Sequence, residues 1–133
     1  MAKKVFTAIP NNKKRVDVHV DGHVVVTDHT TNYGGENAAP SMGTVFLAGL
    51  VACTTSTARG YCKKHDLPMP EKVLMTYDMD EETELITNVS FEFVVSPDFP
   101  EKRYNALMKA AGHCTVKNWW LNPPAFESTV SAE

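Results

Sequence analysis

The chain has 133 residues, 43% hydrophobic and 22% charged, and its 13 Lys and Arg against 16 Asp and Glu leave a net charge of −3. So apolar a composition excludes a disordered chain, the length suits a single domain over residues 1–133, and the acidic balance offers no basic stripe to a nucleic-acid backbone. The longest apolar run, Val45 to Cys53, falls far short of the about 20 residues that span a bilayer, so no membrane partner is expected. The N-terminus has no signal-peptide core, and the three cysteines form no CxxC pair. Both features point to a cytoplasmic protein with free or catalytic thiols.

In chain order, Lys3–Ile9 reads as a short strand ended by Pro10-Asn11-Asn12. Val16–Val20 and His23–Thr27 flank Asp21-Gly22, a pair suited to the positive φ angles of a type I′ turn, so a β-hairpin is expected. Tyr33–Pro40 is a loop by its Gly, Asn and Pro content. Ser41 is placed to cap a helix reaching about His65, apolar on every side in its first half and polar beyond Cys53. Its last turn holds Lys63 and Lys64, where the helix dipole favours cations. Gly43, Gly49 and Gly60 each weaken that helix by about 1 kcal/mol relative to Ala, which close packing against another backbone would explain.

Val73–Asp80 and Leu85–Val95 read as a second hairpin across an acidic turn, with Leu85, Val89, Phe91, Phe93 and Val95 on one face. Asp98 with Glu101 has capping-box spacing for a helix carrying Tyr104, Leu107, Met108 and Ala111, closed by Gly112. A short helix from about Cys114 to Leu121 follows and stops at Asn122-Pro123-Pro124. Phe126–Val130 adds a last strand. This order predicts an α+β fold, antiparallel strands around a long buried central helix. A helix apolar all round is hard to bury in so small a chain, and a homodimer is expected to cover it.

Chemistry can reside in two of the cysteines. Cys53 sits midway along the long helix, followed by the hydroxyl run Thr54-Thr55-Ser56-Thr57. Cys114 stands at the start of a helix, where unsatisfied N–H groups and the dipole push a thiol toward thiolate. Cys62 falls on the opposite side of the helix from Cys53 and reads as core. His19 and His23 flank the hairpin turn, His29, His65 and His113 are scattered, and none stands in an HExxH motif, so no metal is expected. Gly34-Gly35 lacks a GxGxxG or P-loop setting, so no cofactor is expected either.

The loop Tyr33-Gly34-Gly35-Glu36-Asn37-Ala38-Ala39-Pro40 leads into a helix with Leu50-Val51-Ala52-Cys53. Later come Ala111-Gly112-His113-Cys114-Thr115-Val116-Lys117-Asn118 and Asn122-Pro123-Pro124-Ala125-Phe126. These stretches resemble the two halves of an OsmC/Ohr family protein, in particular the branch with a Cys-x-Val-Lys motif before Pro-Pro. The resemblance spans nearly the whole chain and implies an OsmC-like fold in which two chains intertwine with the cysteine helices at the dimer centre. It also implies a thiol-dependent peroxidase acting on organic hydroperoxides in oxidative-stress defence. Cys53 would be the peroxidatic and Cys114 the resolving cysteine, the two closing to a disulfide that an external thiol or dithiol reduces.

The family supplies an arginine from the N-terminal strands and a glutamate in the first turn of the cysteine helix. Arg15 is the one arginine before Cys53 and takes the first role; the glutamate's slot holds Thr44 or Gly43. Glu36, in the preceding loop, is the candidate to orient Arg15 in its place. The missing glutamate, with Trp119-Trp120 as a possible pocket wall, supports a second expectation: a non-catalytic or weakly active dimer that binds an apolar or thiol-bearing small molecule.

Overall fold

A computed structural model describes residues 3–132. Their packing separates an N-terminal unit ending at Gly49 from a C-terminal unit starting at Leu50. Among these residues no helix is long and apolar enough to cross a membrane. Antiparallel strands and one long helix give the expected α+β class.

The N-terminal unit is built on a three-stranded sheet, β1 (Thr7–Pro10), β2 (Val16–Val20) and β3 (His23–Thr27), antiparallel in that order. The hairpin forms as expected: Val20 pairs with His23, and Asp21 and Gly22 take φ of 51° and 76°. β1 begins at Thr7 rather than Lys3, because Thr7 pairs with His19 and β2 turns away just beyond it. The chain then winds around a fully buried carboxylate. Asp28 Oδ1 accepts the His29 N–H at 2.8 Å, and Oδ2 accepts those of Glu36 and Ala38 at 3.1 Å each. Gly35 is wedged inside this winding, where a Cβ would collide with the His29 carbonyl oxygen and stand 2.8 Å from Asp28 Oδ1.

α1 (Met42–Lys64) starts where Ser41 Oγ accepts the Thr44 N–H at 3.4 Å and meets the Thr44 hydroxyl at 2.9 Å. It ends in a Schellman arrangement with Asp66 at φ 55° in the usual glycine position: the Leu67 N–H donates to Cys62 O and the Asp66 N–H to Lys63 O. Leu47 and Leu50 are buried, but Phe46 is 57% exposed, so the helix is covered on one side and not all round. A Cβ at Gly43, Gly49 or Gly60 would meet open space, so the described residues supply none of the close packing expected there.

In the C-terminal unit β4 (Lys72–Met79) pairs antiparallel with β5 (Ile86–Val94). Val89, Phe91 and Phe93 are half-buried on one face of β5, as alternation requires. Leu85 does not share that face; it precedes the strand, past an irregularity at Asp78/Met79 that breaks the alternation, and is exposed. α2 (Tyr104–Ala111) follows a 3₁₀ turn over Glu101–Arg103, and Asp98 does not cap it. Pro100 holds the residue before it out of helical geometry, so the helical turn begins after Pro100 and has no side-chain cap. Ala58, Cys62, Phe99, Leu107 and Ala111 pack together as the core of this unit. α3 (Thr115–Leu121) comes next. The segment Phe126–Val130 is no strand, and both of its large apolar side chains are exposed. Pro123 and Pro124 remove two N–H donors at the point where a ladder would have to begin.

The Ala38 N–H does most to hold the Asp28 carboxyl below its ordinary 3.8 against the opposing cost of burial, helped by the His29 and Glu36 N–H groups and the charge of Arg15. A lowered folded value means that Asp28 stabilises the protein fully above about pH 4, and that this contribution drains away as the pH falls through the folded pKa. Asp28→Asn should therefore lower the melting temperature at neutral pH and flatten the loss of stability below about pH 4 in circular-dichroism melts. Gly35→Ala should cost about 3 kcal/mol in urea unfolding, because the backbone around it must move.

Candidate thiol site

The site is made within the C-terminal unit, by α1 from Leu50 onward and by the helix that follows Cys114. α1 carries Cys53 on the stripe that also holds Leu50, Thr54 and Thr57, spaced three and four residues apart. α3 begins at Cys114, whose backbone is extended (φ −82°, ψ 146°) and whose sulfur accepts the Lys117 N–H at 3.3 Å. Cys114 thus fills an N-cap position usually held by Ser, Thr, Asp or Asn. A helix start leaves its first N–H groups without backbone partners, and here those of Thr115 and Val116 are directed at the Cys53 sulfur.

That placement sets the acidity of Cys53. The Val116 N–H has the largest effect, and burial opposes it. A hydrogen bond with the Cys114 thiol, the Thr115 N–H and the Thr57 hydroxyl add to the first, and the Cys53 thiol is held below its ordinary 9.0. Cys53 is only half-buried, so a reactant can reach it, whereas Cys114 is 1% exposed. Thr54 is buried as well, its Oγ1 lying 3.0 Å from Leu50 O and 3.8 Å from Cys114 Sγ. Cys62 shows the opposite behaviour. It lies in the core, and burial pushes its thiol up.

Beside the thiols, a cavity of about 280 Å³ is lined by Leu50, Val89, Phe91, Lys117, Trp120 and Leu121. Leu50 stands one turn before Cys53 on α1, so the cavity shares that helix stripe, although neither thiol lines it. Trp120 lines it; Trp119 does not and is largely exposed.

Arg15 and Glu36 belong to the N-terminal unit. Glu36 Oε2 pairs with Lys13 Nζ at 3.4 Å, and the carboxylate that feels the Arg15 charge is that of Asp28. Arg15 Nε is buried without a hydrogen-bond partner among the described residues. The first turn of α1 holds no acidic residue: Thr44 is engaged with Ser41, and Gly43 faces open space. Among the described residues no cluster of His, Cys, Asp and Glu is placed to hold a metal ion. Sequence reasoning had missed Thr54, Thr57 and the two α3 amides. The hydroxyl run was visible, but which hydroxyl meets which sulfur depends on where α3 packs.

An α+β chain with two thiols gathered at one helix start defines a class, and the comparisons define the family. The sequence profile of the OsmC-like protein family matches residues 34–129, and the chain belongs to that family. Among curated proteins none matches. The fold is similar to a protein from Psychrobacter arcticus 273-4 (TM-score 0.74, 12% identity, covering 89% of this chain and 88% of that one). It is also similar to an OsmC-like protein from Mycoplasma pneumoniae (0.72, 17%, 92% and 89%). A third similar structure is the organic hydroperoxide resistance protein OhrB of Bacillus subtilis (0.56, 17%, 88% and 89%).

The role given to the α3 amides can be checked with a single proline. Thr115 is the first residue of α3 and Cys114 before it is already extended, so Thr115→Pro fits the backbone and removes one N–H from Cys53. The variant should keep its circular-dichroism spectrum, while the pH midpoint for iodoacetamide labelling of Cys53, read by peptide mass mapping, moves up. In both proteins Cys53 should label at lower pH than Cys62.

Proposed function

We propose that the protein is a thiol-dependent peroxidase that reduces organic hydroperoxides, with Cys53 as the attacking thiolate and Cys114 as the resolving thiol. One observation carries this reading: a half-open thiol, held below its ordinary pKa by helix-start amides, has a second, buried thiol within hydrogen-bond reach. In the first step the Cys53 thiolate attacks the terminal oxygen of the O–O bond. The bond breaks, the sulfur gives up two electrons and becomes a sulfenic acid, and the alkoxide takes a proton to leave as alcohol. The Cys114 sulfur then displaces hydroxide from the Cys53 sulfur, forming a disulfide and water. An external thiol or dithiol returns the two electrons.

The apolar cavity of Leu50, Val89, Phe91 and Trp120 beside this helix face suits an alkyl group better than water, which favours organic hydroperoxides over hydrogen peroxide. The Bacillus subtilis relative is described as an organic hydroperoxide resistance protein, which agrees with this choice. In this reading Arg15 supplies the cation that the family resemblance assigns. Its charge is felt by the Asp28 carboxylate, while Glu36 pairs with Lys13.

The working form in this reading is a homodimer in a reducing, cytoplasmic setting. Large apolar side chains are exposed in both units, including Phe6 and Phe46 in the first and Leu74 and Met79 in the second, and a second copy would cover them. Sedimentation equilibrium should return twice the 14.7 kDa chain mass.

The activity itself is tested by titrating free thiols in reduced protein before and after a stoichiometric pulse of cumene hydroperoxide, with hydrogen peroxide in parallel. The expected result is rapid loss of two thiols to a Cys53–Cys114 bridge, faster with the organic peroxide, with Cys62 still free. Cys53→Ser should abolish the loss, and Cys114→Ser should stop at the sulfenate. Survival of all three thiols would overturn the reading and leave the family fold as a small-molecule binder, for which added ligand would raise the melting temperature.

A further inference from the structure

The hydroxyl run after Cys53 has no part in the steps above. In a helix interior such side chains bond back to the carbonyl four residues earlier. Thr54 does so to Leu50 O at 3.0 Å, Thr55 to Val51 O at 2.7 Å and Thr57 to Cys53 O at 2.9 Å. Two of these hydroxyls also meet a sulfur, and they divide the pair between them: Thr57 contacts Cys53, and Thr54 lies 3.8 Å from Cys114 Sγ. Thr54 is 3% exposed, so its hydroxyl gains nothing from water, and an apolar side chain of the same shape would avoid burying a polar group.

A hydroxyl has one proton and two lone pairs. The shorter contact gives that proton to Leu50 O, and Cys114 Sγ lies within reach of the same hydroxyl at 3.8 Å, while the Cys114 S–H serves Cys53. Once Cys114 is deprotonated, rotation of the same hydroxyl turns its proton from the carbonyl to the sulfur. Thr54 therefore has a donor to offer the sulfur once it becomes the thiolate that closes the disulfide. The Lys117 N–H, at 3.3 Å, holds it from the other helix.

We propose that Thr54 is a positioning residue for the resolving thiol, holding Cys114 Sγ in line with the Cys53 sulfur for disulfide closure. The proposal rests on the peroxidase reading. In the step it serves, the Cys114–Cys53 sulfur bond forms and the S–O bond of the sulfenic acid breaks. The proton lost by Cys114 leaves with the hydroxide as water.

The test separates the two chemical steps. Wild type, Thr54→Val, Thr54→Ser and Thr57→Val are each reduced, pulsed with cumene hydroperoxide and quenched at intervals with dimedone and an alkylating agent. Peptide mapping then follows Cys53 oxidation and disulfide closure separately. Thr54→Val, which keeps the shape and loses the hydroxyl, should slow closure by about tenfold and lengthen the life of the dimedone-reactive sulfenate. Thr54→Ser should restore closure, and Thr57→Val should slow the oxidation of Cys53 more than closure. Closure in Thr54→Val at the wild-type rate would overturn the proposal, as would equal slowing in Thr54→Ser. Closure driven by diamide, which takes two electrons and two protons from a dithiol without any peroxide, is measured on the same four proteins. If cumene hydroperoxide leaves wild-type thiols intact, the peroxidase reading fails, and diamide closure alone decides the positioning role of Thr54 by the same comparison.

Discussion

The candidate site depends on a sulfur serving as a helix cap. Because Cys114 Sγ takes the Lys117 N–H, α3 starts at Thr115, and the N–H groups of Thr115 and Val116 remain available to the Cys53 sulfur. Without them, the partial burial of Cys53 would hold it in the neutral, unreactive thiol form. Cys62 is the internal control. It lies on the same helix, finds no such donors among the described residues, and is moved by burial in the opposite direction. One capping interaction thus decides which thiol is acidic and sets the Cys114 thiol beside it.

The N-terminal unit applies the same physics to a carboxylate. Asp28 is fully buried, and backbone N–H groups of His29, Glu36 and Ala38 make that tolerable, which winds residues 28–38 around one charge. Gly35 is required by that winding, since no side chain fits beneath the His29 carbonyl. In both units a buried or half-buried acidic group is held chiefly by main-chain donors. Such donors are fixed by the fold and leave no mark in the composition. This is also why the absence of an acidic residue from the first turn of α1 does not remove the means of holding Cys53 acidic.

Much of the fold was legible in the sequence because its signals are local. Asp21-Gly22 dictates its turn, Ser41 its cap, and the Val89-Phe91-Phe93 alternation its strand. The errors arose where a local pattern met a non-local constraint. Asp98 has the spacing of a cap but lies before Pro100, and Phe126–Val130 has the composition of a strand but follows two prolines and finds no partner among the described residues. The two cysteines were legible as candidates from their contexts. Their shared donors were not, because a backbone amide has no letter in the sequence. Asp28 was passed over for the opposite reason: an isolated aspartate before a loop looks ordinary until its oxygens are seen to gather the loop.

The central claim is that helix-start amides outweigh burial at Cys53, and it is tested most directly by the ultraviolet absorbance of its thiolate. Reduced wild type and Cys53→Ser are titrated across pH, and their difference isolates the one thiol. The account predicts a midpoint below the ordinary value of 9.0. A midpoint at or above 9.0 would mean that burial prevails, and would contradict it.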